Sequence, residues 1–139
     1  MTLARAALAL ILAASSQAAD TKPDPRVVEY GRYLAEEVGK CQDCHSPKNE
    51  KGELDRSRWM KGAVLDVQPI GQIPGWHKTS PDITPGGKLW ERWGGEEALR
   101  KYLTTGLTPK GKYAEPPMPT YKLRDKDAGA IVEYLKTLR

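Results

Sequence analysis

The apolar positions of this chain fall into three helical repeats separated by long stretches with no period. Val27, Gly31, Leu34 and Val38 follow i, i+4, i+7 and i+11, one face of a helix expected over Pro25–Val38. Asp24 is suited to cap it, Pro25 to open it and Gly39 to stop it. Leu99, Tyr102 and Leu103 form the apolar face of a second helix over Glu96–Thr105. Glu96 and Glu97 sit in its first turn, where the helix dipole favours anions, and Gly106 follows its last residue. Ala128, Ile131, Leu135 and Leu138 mark a third helix over Asp125–Leu138, with Val132 and Tyr134 beside the stripe and Asp125 as its expected cap. Leu123 is placed to act as a hydrophobic staple before it. Gly31 lies on the inner face of the first helix. Glycine is costly there unless another backbone comes close.

Ser46–Trp93 shows neither helical nor strand period, and eleven of its 48 residues are Gly or Pro. A structureless loop of that length is unusual inside a compact domain. Disorder does not account for it, because the segment carries all four tryptophans together with Ile70, Ile73, Ile83 and Leu89. Gly106–Lys122 is similar, with Pro116, Pro117 and Pro119 close together. Both segments read as loops wrapped around a bound object.

Composition sharpens this. The 139 residues contain no Phe, and Gly and Pro together number 24, so the protein part of the core is thin. A mean hydropathy of −0.62 excludes a multi-span membrane protein. Arg5 followed by the nine-residue apolar run Ala6–Ala14 is too short to span a bilayer and reads as a signal peptide. Ser16-Gln17-Ala18 supplies a cleavage site after residue 18, or one residue later. The expected mature chain is then 19–139, a single domain, and loss of Arg5 takes the formal charge from +4 to +3. The competing reading is an uncleaved membrane anchor. Export places the chain in the periplasm, where thiols oxidise. Yet Cys41 and Cys44 are the only cysteines and lie too close together to close a long loop.

Their chemistry is therefore local, and Cys41-Gln42-Asp43-Cys44-His45 is a C-x-x-C-H sequence. On one helical turn two thiols at this spacing reach the two vinyl groups of a single haem, and the next residue, His45, falls under the iron. A thioredoxin-like dithiol would follow a strand in a βαβ unit, and no such pattern exists here. A zinc site would have to draw on Cys41, Cys44, His45 and His77, without the usual second paired spacing. For the opposite side of the iron the candidates are Met118, Met60 and His77. Met118 is favoured because the prolines of Pro116-Pro117-Met118-Pro119 stiffen the loop around a soft thioether.

Around this motif the sequence resembles the class I monohaem cytochromes c, especially small bacterial cytochromes and the cytochrome subunits of periplasmic dehydrogenases. The resemblance runs through Tyr30-Gly31-Arg32-Tyr33-Leu34, Cys41–His45, Ser80-Pro81-Asp82-Ile83-Thr84-Pro85, Trp93, Met118-Pro119-Thr120-Tyr121 and Ala130–Leu135. It covers essentially the whole mature chain. It implies an all-α cytochrome c fold, with three main helices and long loops around one covalently bound haem c. In that fold the first and last helices cross, with Gly31 against Tyr134, and the Ser80–Pro85 segment lines the haem edge, where its polar groups can bond a propionate. Val64–Lys78 matches no family motif.

The function this implies is one-electron transfer rather than catalysis: haem iron held by His45 and Met118 between a periplasmic dehydrogenase or respiratory donor and an acceptor such as cytochrome bc1 or a terminal oxidase. The alternatives are a haem enzyme or gas sensor with a labile sixth ligand, and a membrane-anchored subunit of a respiratory complex. Lys40, Lys48, Lys51 and Lys61 surround the motif in sequence and are candidates for a basic ring that docks an acidic partner. No dense basic run points to nucleic acid. Contact with membrane is expected only through a partner complex, and the chain itself is expected to act as a monomer or a subunit.

Overall fold

The computed structural model describes residues 22–138. The expected signal peptide and its cleavage site lie outside the described residues. Five α-helices follow in order: α1 Pro25–Tyr33, α2 Cys41–His45, α3 Lys88–Trp93, α4 Glu96–Thr105 and α5 Asp125–Lys136. A π-helical turn, Leu34–Val38, extends α1, and a 3-10 turn covers Arg56–Arg58. Two short antiparallel strands pair Ala63 with Ser80 and Val64 with Thr79. These are β1 (Ala63–Val64) and β2 (Thr79–Ser80).

The three long helices match the expected segments closely, and α3, β1 and β2 are additions. Six residues of α3 and two-residue strands are too short for any period to register in sequence. Asp24 caps α1, accepting from the Arg26 backbone N–H at 2.9 Å. At α5 the expected cap is corrected. Arg124, not Asp125, occupies the cap position and makes no capping side-chain bond. Asp125 and Asp127 in the first turn face the positive helix end instead, and Asp127 accepts from Arg124 Nε at 2.9 Å.

The inner face of α1 also differs from the simple periodic reading. Val27 and Val38 are exposed, whereas Gly31, Ala35 and Glu36 are buried. The π turn is the cause: each π turn takes up more residues than an α turn, which rotates everything after it. Ala35 and Glu36 thereby turn inward and Val38 outward.

α1 packs across α5, and the contact is backbone to backbone. A Cβ on Gly31 would lie 1.8 Å from the Ala130 carbonyl oxygen and 3.0 Å from Tyr134 Cβ. This close approach requires glycine in a helix where its propensity is poor. Behind the crossing, Leu99, Tyr102 and Leu103 of α4 join Ala128, Ile131, Val132 and Leu135 of α5. Met60, Ile83, Leu89 and Trp90 extend the core towards the loops. Trp93 meets Tyr102 edge-on, with ring centroids 5.0 Å apart.

The helix crossing carries a buried polar group that no sequence pattern announced. Glu36 accepts from Tyr134 Oη, from Trp59 Nε1 at 3.2 Å and from Arg32 at 3.4 Å. With these partners the carboxylate is satisfied despite its burial. Burial, followed by the Glu36 contact, holds the Tyr134 hydroxyl well above the usual phenol range, so it remains a donor.

Gly31→Ala forces the α1–α5 crossing apart, because the obstructing atom is backbone. The expected cost is about 3 kcal/mol, the upper end of ordinary overpacking. Chemical denaturation of the haem-loaded protein measures it, and an unchanged midpoint contradicts the contact.

Candidate functional site

The site is built on α2, which places Cys41, Cys44 and His45 on little more than one turn. Lys40 precedes it in the left-handed region (φ 52°), setting the angle at which the chain leaves the π turn. Both cysteines are free thiols. Burial pushes Cys41 up to about 11 and raises Cys44 as well, with Asp43 adding to both. Thiolate is therefore disfavoured at both sulfurs, the opposite of a redox-active dithiol. An uncharged thioether suits this environment.

His45 is buried, and its Nδ1 lies 2.8 Å from the Pro81 carbonyl oxygen. A carbonyl only accepts, so Nδ1 carries the proton and the Nε2 lone pair is left for a metal. Desolvation lowers the His45 pKa further, which keeps the imidazole neutral, as a ligand must be.

Several contacts hold α2 in this pose. Gly62 N–H donates to the His45 carbonyl at 2.7 Å, and Met60 N–H donates to Ser46 Oγ at 2.9 Å. Ser80 Oγ donates to the Cys44 carbonyl at 2.5 Å and accepts from Ala63 N–H at 2.9 Å. Gln42 Nε2 donates to the Glu36 carbonyl at 2.8 Å. Met60 adopts a positive φ of 58°, a strained conformation for a residue with a side chain. That turn lets Met60 bond Ser46 with its N–H while its carbonyl accepts from Ile83 N–H at 3.0 Å. Its side chain is fully buried in the core.

The Ser80–Pro85 segment thus braces the motif through backbone and hydroxyl groups. The expectation that its polar side chains reach a propionate is not what the contacts favour. Ser80 is engaged by Cys44 and Ala63, and Thr84 donates from both N and Oγ1 to Asp82 at 2.7 Å. The free donor lies elsewhere. Trp76 Nε1 is buried without a hydrogen-bond partner, and Trp76 lines a cavity of about 570 Å³ together with Gln68, Gln72, Ile73 and Lys78. An orphaned indole N–H beside a lysine suits a carboxylate such as a haem propionate. The residues present therefore fit a haem: two protonated sulfurs on one turn, a neutral imidazole with Nε2 free, and an unpartnered donor. Cys41 and Cys44 would hold its vinyl carbons and His45 its iron.

Met118 is half-buried against the edge of the core. Its segment is fastened on both sides. Downstream, Tyr121 Oη donates to the Gly39 carbonyl at 2.9 Å, tying the segment to the turn that precedes α2. Upstream, His77 N–H donates to the Pro116 carbonyl at 2.8 Å. His77 itself is exposed and bonds Glu115 through Nε2, away from the cysteines. Among the described residues no three His, Cys, Asp or Glu side chains gather as a metal site, so the zinc arrangement of Cys41, Cys44, His45 and His77 is not formed.

Nor is the basic ring a free surface. Lys40 pairs with Glu37 at 3.1 Å and Lys48 with Asp66 at 2.5 Å, leaving Lys51 and Lys61 without an ion pair among the described residues. Among the same residues no helix is long and apolar enough to cross a membrane.

The sequence profile of the cytochrome c family matches residues 28–139. The chain belongs to the cytochrome c family, whose members bind haem c covalently and transfer electrons. Within that family it is 39% identical over 113 residues to a diheme cytochrome c-type protein of Cereibacter sphaeroides. It is 34% identical over 131 residues to a nicotinate dehydrogenase subunit of Pseudomonas putida, and 30% identical over 113 residues to the fructose dehydrogenase cytochrome subunit of Gluconobacter japonicus. These alignments cover 78%, 88% and 78% of this chain but only 34%, 10% and 21% of the relatives, so the chain corresponds to one part of each.

Removing the Tyr121 hydroxyl tests the tie to Gly39. Tyr121→Phe is expected to destabilise the haem-loaded protein by about 1 kcal/mol, the scale of one hydrogen bond. Thermal unfolding followed by circular dichroism reads this, and an unchanged midpoint would show that the bond contributes nothing.

Proposed function

We propose that this chain is a periplasmic monohaem carrier of single electrons, its iron ligated by His45 and Met118. It would take electrons from a dehydrogenase and pass them to a respiratory acceptor, acting as a subunit or mobile partner rather than as a catalyst. The observation that carries this reading is the His45–Pro81 bond, which fixes the imidazole neutral with Nε2 free. The single C-x-x-C-H sequence supports one haem, and the dehydrogenase subunits among the relatives support the donor class.

The bound haem would supply reversible one-electron exchange at iron. The chain's own residues do the rest. Cys41 and Cys44 fasten the group, His45 holds one axial position, and Met118 closes the other against substrates and water. A neutral thioether opposite a neutral imidazole favours the ferrous state and raises the potential. The Arg5–Ala18 leader and its cleavage account for haem attachment outside the cytoplasm.

Two measurements test this. In Met118→Ala the potential is expected to fall by on the order of 0.1–0.2 V, a fraction of the ~0.8 V span that axial ligands command. Exogenous imidazole should then bind the ferric protein readily, whereas an unchanged potential removes Met118 as the ligand. N-terminal sequencing of the exported protein should find a start at residue 19 or 20, and an intact leader favours the membrane-anchored alternative.

A further inference from the structure

The loop between β1 and β2 is longer than a wrapped haem obviously requires, and it bears directly on the Met118 segment. Leu65 N–H donates to the Lys78 carbonyl at 2.8 Å, so the excursion is closed at its base. Its far end comes back towards the prolines. His77 makes two separate contacts there: its backbone N–H on the Pro116 carbonyl at 2.8 Å, and its Nε2 on the Glu115 carboxylate. Gly75, at φ 76°, packs beside the same glutamate, with Glu115 carbons about 3.5–3.6 Å from where a Cβ would stand. The chain turns sharply at Gly75 so that the next residues, Trp76 and His77, meet residues 115 and 116.

The chemistry of this join is specific. Glu115 and Pro116 immediately precede Pro117-Met118, and no other ion pair or side-chain hydrogen bond holds Glu115 among the described residues. Downstream of Met118 the equivalent fastening is Tyr121 on Gly39. The segment is therefore pinned at one end to the turn before α2 and at the other end to the loop 65–78. Releasing His77 leaves Met118 anchored on one side only.

We propose that His77 and Glu115 form a clasp by which the loop 65–78 holds Met118 in place, so that the pair sets how readily the sixth position opens. This rests on the reading of Met118 as the iron ligand. His77 and Glu115 are positioning residues, since they act through the backbone of residues 116–118. The clasp assigns a role to the loop that sequence motifs leave unexplained. It also makes this loop, rather than the haem motif, the determinant between a closed carrier and a site that admits a small ligand. Both side chains are more than half exposed, so the effect is bounded by what a surface pair contributes.

The test uses the haem-loaded ferric protein and imidazole as the probe. At saturating imidazole the binding rate reports how often the sixth ligand leaves. His77→Ala and Glu115→Ala should each raise that rate about threefold to fivefold, the factor that one exposed hydrogen-bonded pair allows. The double variant should be no faster than either single one, because each residue acts through the other. Glu115→Gln keeps an acceptor for Nε2–H and should stay near the native rate. Lys136→Ala breaks surface pairs with Glu96 and Glu133 far along the chain and should leave the rate unchanged even where it shifts the denaturation midpoint. Native rates in both His77→Ala and Glu115→Ala overturn the clasp, as does a double variant whose effects multiply. If Met118→Ala leaves the native potential and imidazole binding unchanged, the failure belongs to the ligand assignment instead.

Discussion

The hydrogen bond from His45 Nδ1 to the Pro81 carbonyl joins residues 36 positions apart at 2.8 Å, and much of the surrounding chain serves to keep those two atoms together. β1 and β2 bring Ser80 beside Ala63, and Ser80 in turn holds the Cys44 carbonyl. The positive-φ turn at Met60 links Ser46 on one side to Ile83 on the other, again one contact on each side of the bond. Because a carbonyl accepts only, these scaffolding contacts fix which nitrogen carries the proton. They fix with it which nitrogen is free to bind iron. A protonated imidazole would be useless there, and burial already disfavours it.

The helical frame supplies the rigidity this requires. Gly31 lets α1 press onto α5 at backbone distance, and the Glu36–Tyr134–Trp59 cluster ties the same crossing to the loop that enters the site. Gln42 Nε2 reaches back to the Glu36 carbonyl, so the haem motif is attached to the π turn as well as to the loops. The loops themselves have little regular structure, yet each is closed by a few named bonds. Their order comes from those bonds and from the tryptophans, two of which are engaged by protein partners: Trp59 with Tyr134 at 3.0 Å and Trp90 with the Ile83 carbonyl at 2.7 Å.

Long helices and the attachment motif were legible in the sequence because both depend on local spacing. Asp24 and Pro25 announced the start of α1, and Gly31 announced a close neighbour. What was not legible depends on chain segments far apart in sequence. The π turn displaced Val38 from the inner face to the outer, and nothing in an i, i+4 pattern reveals an extra residue in a turn. Glu36 looked like a surface residue, since its three partners lie on other parts of the chain or a turn away. Ser80 is suited by type to a propionate, but the fold gives its hydroxyl to Cys44. Lys40 and Lys48 looked like a docking ring, but the fold pairs them with Glu37 and Asp66. His77 was weighed as a ligand because histidine is rare in this chain, but its place on the surface beside Glu115 follows from the turn at Gly75.

The central claim is that a neutral His45 and the Met118 thioether close the two faces of one haem. Proton NMR of the reduced protein addresses it directly, since the ring current of the haem shifts an axial methionine methyl strongly upfield. One such resonance is predicted, assigned to Met118 by its loss in Met118→Ala. Its retention in that variant, or its absence from the native spectrum, would contradict the account.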